Sequence, residues 1–294
     1  MAWLDFWRHI TVAIGEQRLR APLPNQPHAA VTPVFRHLGT GVITLLPGQT
    51  NGLPWLVTAK HVIDVPGLSQ ARLRFAWHDA QPLDTCLGPR LQLRDASGQP
   101  LWVAHPNPTI DLACIPFTHV AVDEIGRAPT SSGVVSLPAV LSDPQYAATP
   151  PFVGMGVMIL GYPGALDSTF LARAVARQAM VSWVSPTLPS NDYLLLDGNI
   201  IHGNSGGPVF TPPSGTDEHG TFQAGVPPRF LGIVIQTRFQ PLTVMDPTGQ
   251  PLPAQAPSFI GIGVAEPAER VRELLQHVAT QMATKHPSGS PATP

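Results

Sequence analysis

The hexapeptide Gly203-Asn204-Ser205-Gly206-Gly207-Pro208 sets a hydroxyl between glycines. Tyr193-Leu194-Leu195-Leu196 precedes it and Val209-Phe210 follows it, so the ends of the loop are anchored and its tip is constrained. Glycines reach positive φ and let a backbone approach a ligand closely. Successive N–H groups in such a turn converge on a concavity suited to a negative oxygen. A serine at this tip has the setting of a nucleophile beside its own oxyanion hole. The same composition also suits an ordinary hairpin loop, where Gly, Asn, Ser and Pro are common for unrelated reasons.

A serine hydroxyl is a poor nucleophile near neutral pH. It needs a base within hydrogen-bond reach, and the base needs a group that fixes its tautomer. Val57-Thr58-Ala59-Lys60-His61-Val62 reads as a strand ending in a histidine, and Thr109-Ile110-Asp111-Leu112-Ala113 as an aspartate opening an apolar strand. With 11 histidines in the chain, His61 alone carries little weight. Asp111 alone could simply cap a turn. The weight lies in His61, Asp111 and Ser205 occurring in that order, each in its own local frame. That is the chain order of the chymotrypsin class of triads, not of subtilisin or the α/β-hydrolases.

These residues need a scaffold. Trp3, Trp7, Ile10 and Ile14 recur at helical spacing and predict an N-terminal helix. Its apolar face suits docking on the body of the protein, a partner, or a membrane interface. Arg20 to Pro33 is Pro-rich and polar and reads as an arm, so residues 1–33 form an N-terminal helix and arm. Short runs rich in β-branched and aromatic residues, separated by turn clusters, fill residues 34–120 and predict a first set of six or seven strands. Residues 121–152 lack a clear period and read as the crossing to a second set of strands over 153–265. Thr211 to Arg229 and Arg238 to Ser258 read as long loops within that half, the latter able to cover a pocket mouth. Val271, Leu274, Leu275 and Val278 stripe a C-terminal helix within 266–284, and 285–294 read as a disordered tail. The fold class is all-β. Two closed antiparallel barrels plus a terminal helix bury these strands without long exposed edges.

Composition narrows the partners. Pro 35 and Gly 26, spread without period, favour many short strands over long helices. A charged fraction of 12% and a net charge of −2 supply no basic field for nucleic acid or an anionic membrane. No run of ~20 apolar residues predicts stable membrane insertion. Asp5, Arg8 and His9 interrupt any signal-peptide core, which places the expectation in the cytoplasm. Two cysteines exclude a disulfide scaffold; a reduced, buried Cys114 is favoured over a bridge to Cys86. No HExxH pattern or paired-cysteine spacing occurs, so neither a metal nor a cofactor is expected.

The three segments together resemble a chymotrypsin-fold (trypsin-like) serine protease, nearest to the HtrA/Deg type, from about Val34 to Val278. Thr58 to Val62 resembles the family's histidine strand, Asp111-Leu112-Ala113 its aspartate segment, and Gly203 to Pro208 its nucleophile loop. Gly161-Tyr162-Pro163-Gly164, Met180-Val181-Ser182 and Gly261-Ile262-Gly263-Val264-Ala265 resemble flanking elements of the second barrel. No PDZ-like segment follows, so the family's substrate-delivery logic is not carried over. The resemblance implies two six-stranded barrels, a polypeptide substrate, and an oxyanion hole from the N–H groups of Gly203 and Ser205. It further implies a specificity pocket lined by Asn199 and Ile200, with His202 beside the hole and Ile235, Gln236 and Thr237 as the strand that pairs with substrate. Asn199 occupies the position where a trypsin-like enzyme carries an acid, so cleavage after small or medium apolar residues is expected. Asn204 cannot make the ion pair that activates zymogen-type relatives. The competing expectation is a catalytically silent module that binds a partner peptide. A protease with one dedicated intracellular client, in a bacterial defence or quality-control system, is a further one.

Overall fold

The computed structural model describes residues 3–21, 30–49, 52–78, 87–121, 150–162, 173–184, 193–245 and 250–285. The crossing expected over 121–152, Gly164 of the Gly161 turn, Cys86 and the tail after Lys285 lie almost wholly outside them. A short helix α1 (Trp3–Ile10) leads into the first sheet. Its strands are β1 (Thr11–Arg20), β2 (Thr32–Thr44), β3 (Trp55–Ala59), β4 (Gln70–Arg74), β5 (Arg90–Gln92), β6 (Val103–Ala104) and β7 (Leu112–Pro116), with helix α2 (Lys60–Ile63) after β3. The sheet order is β5-β4-β1-β2-β3-β7-β6. Its two end strands approach through the Arg94↔Pro100 bridge and the bond from Leu101 N to Leu93 O, 2.9 Å.

The second half holds β8 (Gly156–Gly161), β9 (Val175–Val184), β10 (Leu194–Gly198), β11 (Pro208–Phe210), the small hairpin β12 (Ser214–Thr216) and β13 (Phe222–Ala224), then β14 (Phe230–Met245), β15 (Pro251–Pro267) and helix α3 (Ala268–Lys285). It closes as a six-stranded barrel, β10-β15-β14-β11-β8-β9. The architecture is mostly β and chymotrypsin-like, as the sequence predicts, but the first half is a rolled seven-stranded sheet in place of a six-stranded barrel.

Two segments differ from expectation. The N-terminal helix ends at Ile10, and Thr11–Arg20 inserts as β1 between β2 and β4. Thr11, Val12 and Ile14 are β-branched and fully buried, and an extended chain offers two faces to bury where a helix offers one. Arg238 to Ser258 is not a loop but the distal part of β14 and β15, paired from Phe239↔Phe259 to Met245↔Pro251. Thr211 to Arg229 carries the β12–β13 hairpin.

Strand alternation explains the three largest cores. Ile43, Leu56 and Ala113 face the interior of the first sheet, and Val209 and Val234 that of the second barrel. Their neighbours Val42, Val57, Cys114, Phe210 and Ile233 face outward, into a third core between the halves. Trp7 and Ile10 of α1 and Val271, Leu274, Leu275 and Val278 of α3 close that third core. Trp7 stacks on Phe210 with centroids 4.2 Å apart, so α1 docks on the protein's own body. Among the described residues no helix is long and apolar enough to cross a membrane.

Candidate functional site

β3 and β7 run antiparallel with Ala59 opposite Leu112. That register brings the residue after β3 and the residue before β7 to one end of the pair. Lys60 N donates to Asp111 O at 3.1 Å. One turn of helix then presents His61, held by Asp64 N to Lys60 O (2.9 Å) and by Asp64 between Lys60 Nζ (3.2 Å) and Arg94 Nη2 (3.0 Å). The Asp111 carboxylate meets His61 with two prongs: Oδ1 accepts the backbone N–H at 3.0 Å, and Oδ2 lies 2.6 Å from ring Nδ1. A carboxylate only accepts, so the proton belongs on Nδ1, and the neutral ring keeps its lone pair on Nε2. The His61 side chain is 50% exposed, open to the cleft.

Ser205 sits on the facing loop, which the first sheet clamps through Thr40 on β2. Thr40 N donates to Ser205 O (2.7 Å), its hydroxyl donates to Gly203 O (2.7 Å), and it accepts Tyr162 N (3.1 Å) at the same hydroxyl. Thr58 Oγ1 donates to Thr40 O (2.6 Å) from the strand that carries His61. Behind the loop, Gly206 N donates to Val234 O (2.6 Å) and Val234 N to Gly207 O (2.9 Å). Gly206 has φ +88°, and a Cβ there would collide with the Thr40 carbonyl and the Thr58 hydroxyl, so only glycine lets loop and clamp meet. A Cβ at Gly39 would lie 2.6 Å from Val62 and 2.8 Å from Ser205 O, so the backbones of the His61 and Ser205 segments converge on one bare glycine.

The structure thus joins His61 to Asp111 directly. It does not hydrogen-bond Ser205 to His61: Ser205 Oγ donates instead to Ile235 O, a long bond of 3.4 Å. Gly203 has φ +97°. Among the described residues, the N–H groups of Gly203 and Ser205 donate to nothing. Asn204 is buried against Gly161, and its side-chain amide has no partner among the described residues.

Of the residues expected to contact substrate, Ile200 is fully buried and packs on Gly263 of β15, where a Cβ would strike it. Asn199 is exposed, and its carbonyl accepts Arg177 Nη1 at 2.8 Å. His202 is exposed and close enough to His37 to help lower its pKa. Ile235 is half-buried and touches two cores. Gln236 and Thr237 pair with Val264 and Gly263 on one edge. β11 follows β14 only as far as Ile233, so the other edge of Ile235–Thr237 has no strand partner among the described residues.

Two groups escaped the sequence reading. Thr40 gave no signal beyond its glycine neighbours. Glu266 reads in sequence as a lone acid ending an apolar strand, yet it is only 7% exposed. Burial pushes it up to about 7, against the pull of Arg270 and of the Asp111 backbone dipole.

A family model described as a trypsin-like peptidase domain matches residues 39–216. No curated protein matches the chain in sequence. Among solved structures, an HtrA-type protease, AlgW with a decapeptide, superposes with a TM-score of 0.50 at 16% identity, over 95% of this chain and 66% of that one. This chain therefore spans slightly less than two thirds of that protein. The Rv3671c protease of M. tuberculosis H37Rv, in an inactive form, gives 0.45 at 16% identity over 94% of this chain and 92% of that one. At these identities the likeness is one of fold.

Proposed function

Because this chain belongs to the trypsin-like peptidase domain family, whose fold supports a serine protease, we propose that it is an endopeptidase working through His61, Asp111 and Ser205. In this reading Ser205 Oγ forms a bond to the substrate carbonyl carbon while its proton passes to His61 Nε2. The carbonyl electron pair moves onto oxygen, stabilised by the N–H groups of Gly203 and Ser205; one such donor is worth ~3 kcal/mol in a transition state. His61 then hands its proton to the leaving amine nitrogen as the C–N bond breaks. Water, deprotonated by His61, cleaves the acyl-enzyme and restores the serine. Asp111 holds Nδ1–H throughout and keeps the imidazole in the tautomer that accepts at Nε2.

The observation that carries the reading is the two-pronged grip of Asp111 on His61, which leaves Nε2 as the free lone pair in an open cleft. Substrate backbone pairs with the free edge of Ile235–Thr237. Ile200 packed over Gly263 and a neutral Asn199 favour a small or medium apolar residue before the scissile bond. His202 flanks the hole. One observation favours a silent, peptide-binding module instead: the Ser205 hydroxyl points to Ile235 O. Rotation about one side-chain bond redirects it, and catalytic hydrogen bonds tighten in the substrate complex.

A mixed peptide library separates these readings. Turnover by the wild type, abolished in Ser205→Ala and occurring after small or medium apolar residues, is the expected result. No turnover favours the binding module, and strict cleavage after Arg or Lys overturns the pocket. Free digestion of an unfolded protein such as casein would count against a single dedicated client.

A further inference from the structure

Gly203 and Ser205, whose N–H groups form the hole in the reading above, are tethered to one and the same residue. The Thr40 backbone N–H donates to Ser205 O at 2.7 Å, and the Thr40 hydroxyl donates to Gly203 O at 2.7 Å. We propose that Thr40 is a positioning residue for the oxyanion hole: its side chain fixes Gly203 relative to Ser205, and so sets the spacing of the two donors. This rests on the protease reading above.

The surroundings suit that role. Thr40 is fully buried on β2 of the first sheet, while both groups that its hydroxyl binds belong to the second half. A threonine hydroxyl offers one donor and two lone pairs. The donor goes to Gly203 O, and a lone pair accepts Tyr162 N at 3.1 Å, just past the end of β8. β-Branching restricts the side chain to few rotamers, so the hydroxyl direction is set by the strand itself. The Thr40 carbonyl is held in turn by Thr58 Oγ1 at 2.6 Å, from the strand that leads to His61. Every polar atom of Thr40 is engaged, and the bonds run from the His61 strand through Thr40 to the nucleophile loop.

The two donors differ in what else holds them. Asn204 O accepts Gly207 N at 2.8 Å, and in a trans peptide the Ser205 N–H points the opposite way. That donor is oriented within its own loop. Gly203 sits at φ +97°, a conformation that glycine enters and leaves without strain. Its carbonyl bond to Thr40 ties it to the first sheet. Removing the hydroxyl frees that end and takes a partner from two buried groups, Gly203 O and Tyr162 N. Stabilisation of an oxyanion is realised only in the transition state, so a loosened donor lowers kcat and leaves KM nearly unchanged.

The test compares wild type with Thr40→Val, Thr40→Cys and Thr40→Ser in the full chain. Valine keeps the shape and the N–H bond to Ser205 O but has no hydroxyl; serine keeps the hydroxyl; cysteine offers only a weak donor. The readouts, per active site counted by fluorophosphonate titration, are kcat and KM on a cleaved peptide and the Ki of a peptide trifluoromethyl ketone. Ser205 Oγ bonds to the ketone carbon, its proton passes to His61, and the carbonyl electron pair becomes an oxyanion in the hole. T40V is expected to lower kcat and to weaken the ketone alike, by about tenfold to 10²-fold, the effect of a displaced group, with KM little changed. T40S is expected to stay near wild type on both, which ties the loss to the hydroxyl. A folded T40V with wild-type kcat and ketone affinity overturns the proposal. Should T40V fail to fold, T40C decides: it should weaken the ketone while KM holds, and wild-type values of both kcat and Ki overturn the proposal. If wild type neither cleaves peptide nor takes up the ketone, the protease reading fails. The amide resonances of Gly203 and Ser205 by NMR then decide the positioning role: they should move in T40V or T40C and stay in T40S, and an unmoved Gly203 amide overturns it.

Discussion

A carboxylate that grips both the backbone and the ring of one histidine does two jobs. It orients the imidazole, and it selects the tautomer. Asparagine in its place can still bond the His61 backbone, but its amide can donate to Nδ1 and so invert the tautomer. Asp111→Asn is therefore expected to leave the fold and KM nearly unchanged and to lower kcat by about 10⁴-fold, measured by peptide turnover. A loss under tenfold would mean that the grip has no catalytic role. His61 and Asp111 could be paired from sequence because each sits at the end of an apolar run whose partner run is evident. The direction of the Ser205 hydroxyl could not, since one torsion decides it. Nor could the Thr40 clamp, whose four bonds all arise from tertiary placement.

The elements carry a different lesson. The helical spacing of Trp3, Trp7 and Ile10 continues by chance to Ile14, so periodicity alone runs the helix past Ile10 into β1. The β-branched Thr11-Val12 pair marks the switch, and tertiary burial between two strands settles it. Prolines at 241, 251, 253 and 257 broke the strand pattern of the β14–β15 ribbon. Outside the barrel, among the described residues, each of these strands pairs only with the other, so a proline can face the open edge. Helix α1 acts as a wedge in the core between the halves. Trp7→Ala removes the stack on Phe210 and is expected to cost ~3–5 kcal/mol in denaturant unfolding. Unchanged stability would show that α1 is dispensable packing.

At the scale of the molecule, two buried groups tilt stability in opposite directions with pH. Burial raises Glu266 from 4.5 to about 7, so the folded chain keeps a proton that the unfolded chain has released. Its stabilising contribution is full below 4.5 and is lost as pH rises through about 7. Wild type should accordingly lose melting temperature relative to E266Q between about pH 5 and about pH 8; the opposite slope would refute the burial argument. Burial, with Arg74 and His202 adding to it, lowers His37 from 6.5 to about 4, so its contribution is present above 6.5 and lost as pH falls through about 4. Neither effect was legible in the chain, because both residues are polar and owe their burial to distant strands. The two-halved β architecture was legible, since alternation and turn clusters repeat along most of the sequence. The most direct test of the central claim is intact-mass analysis after treatment with a fluorophosphonate. The account predicts a single phosphonyl adduct on wild type, mapped to Ser205, and none on Ser205→Ala or His61→Ala. An unmodified wild type, or an adduct that survives in Ser205→Ala, would contradict it.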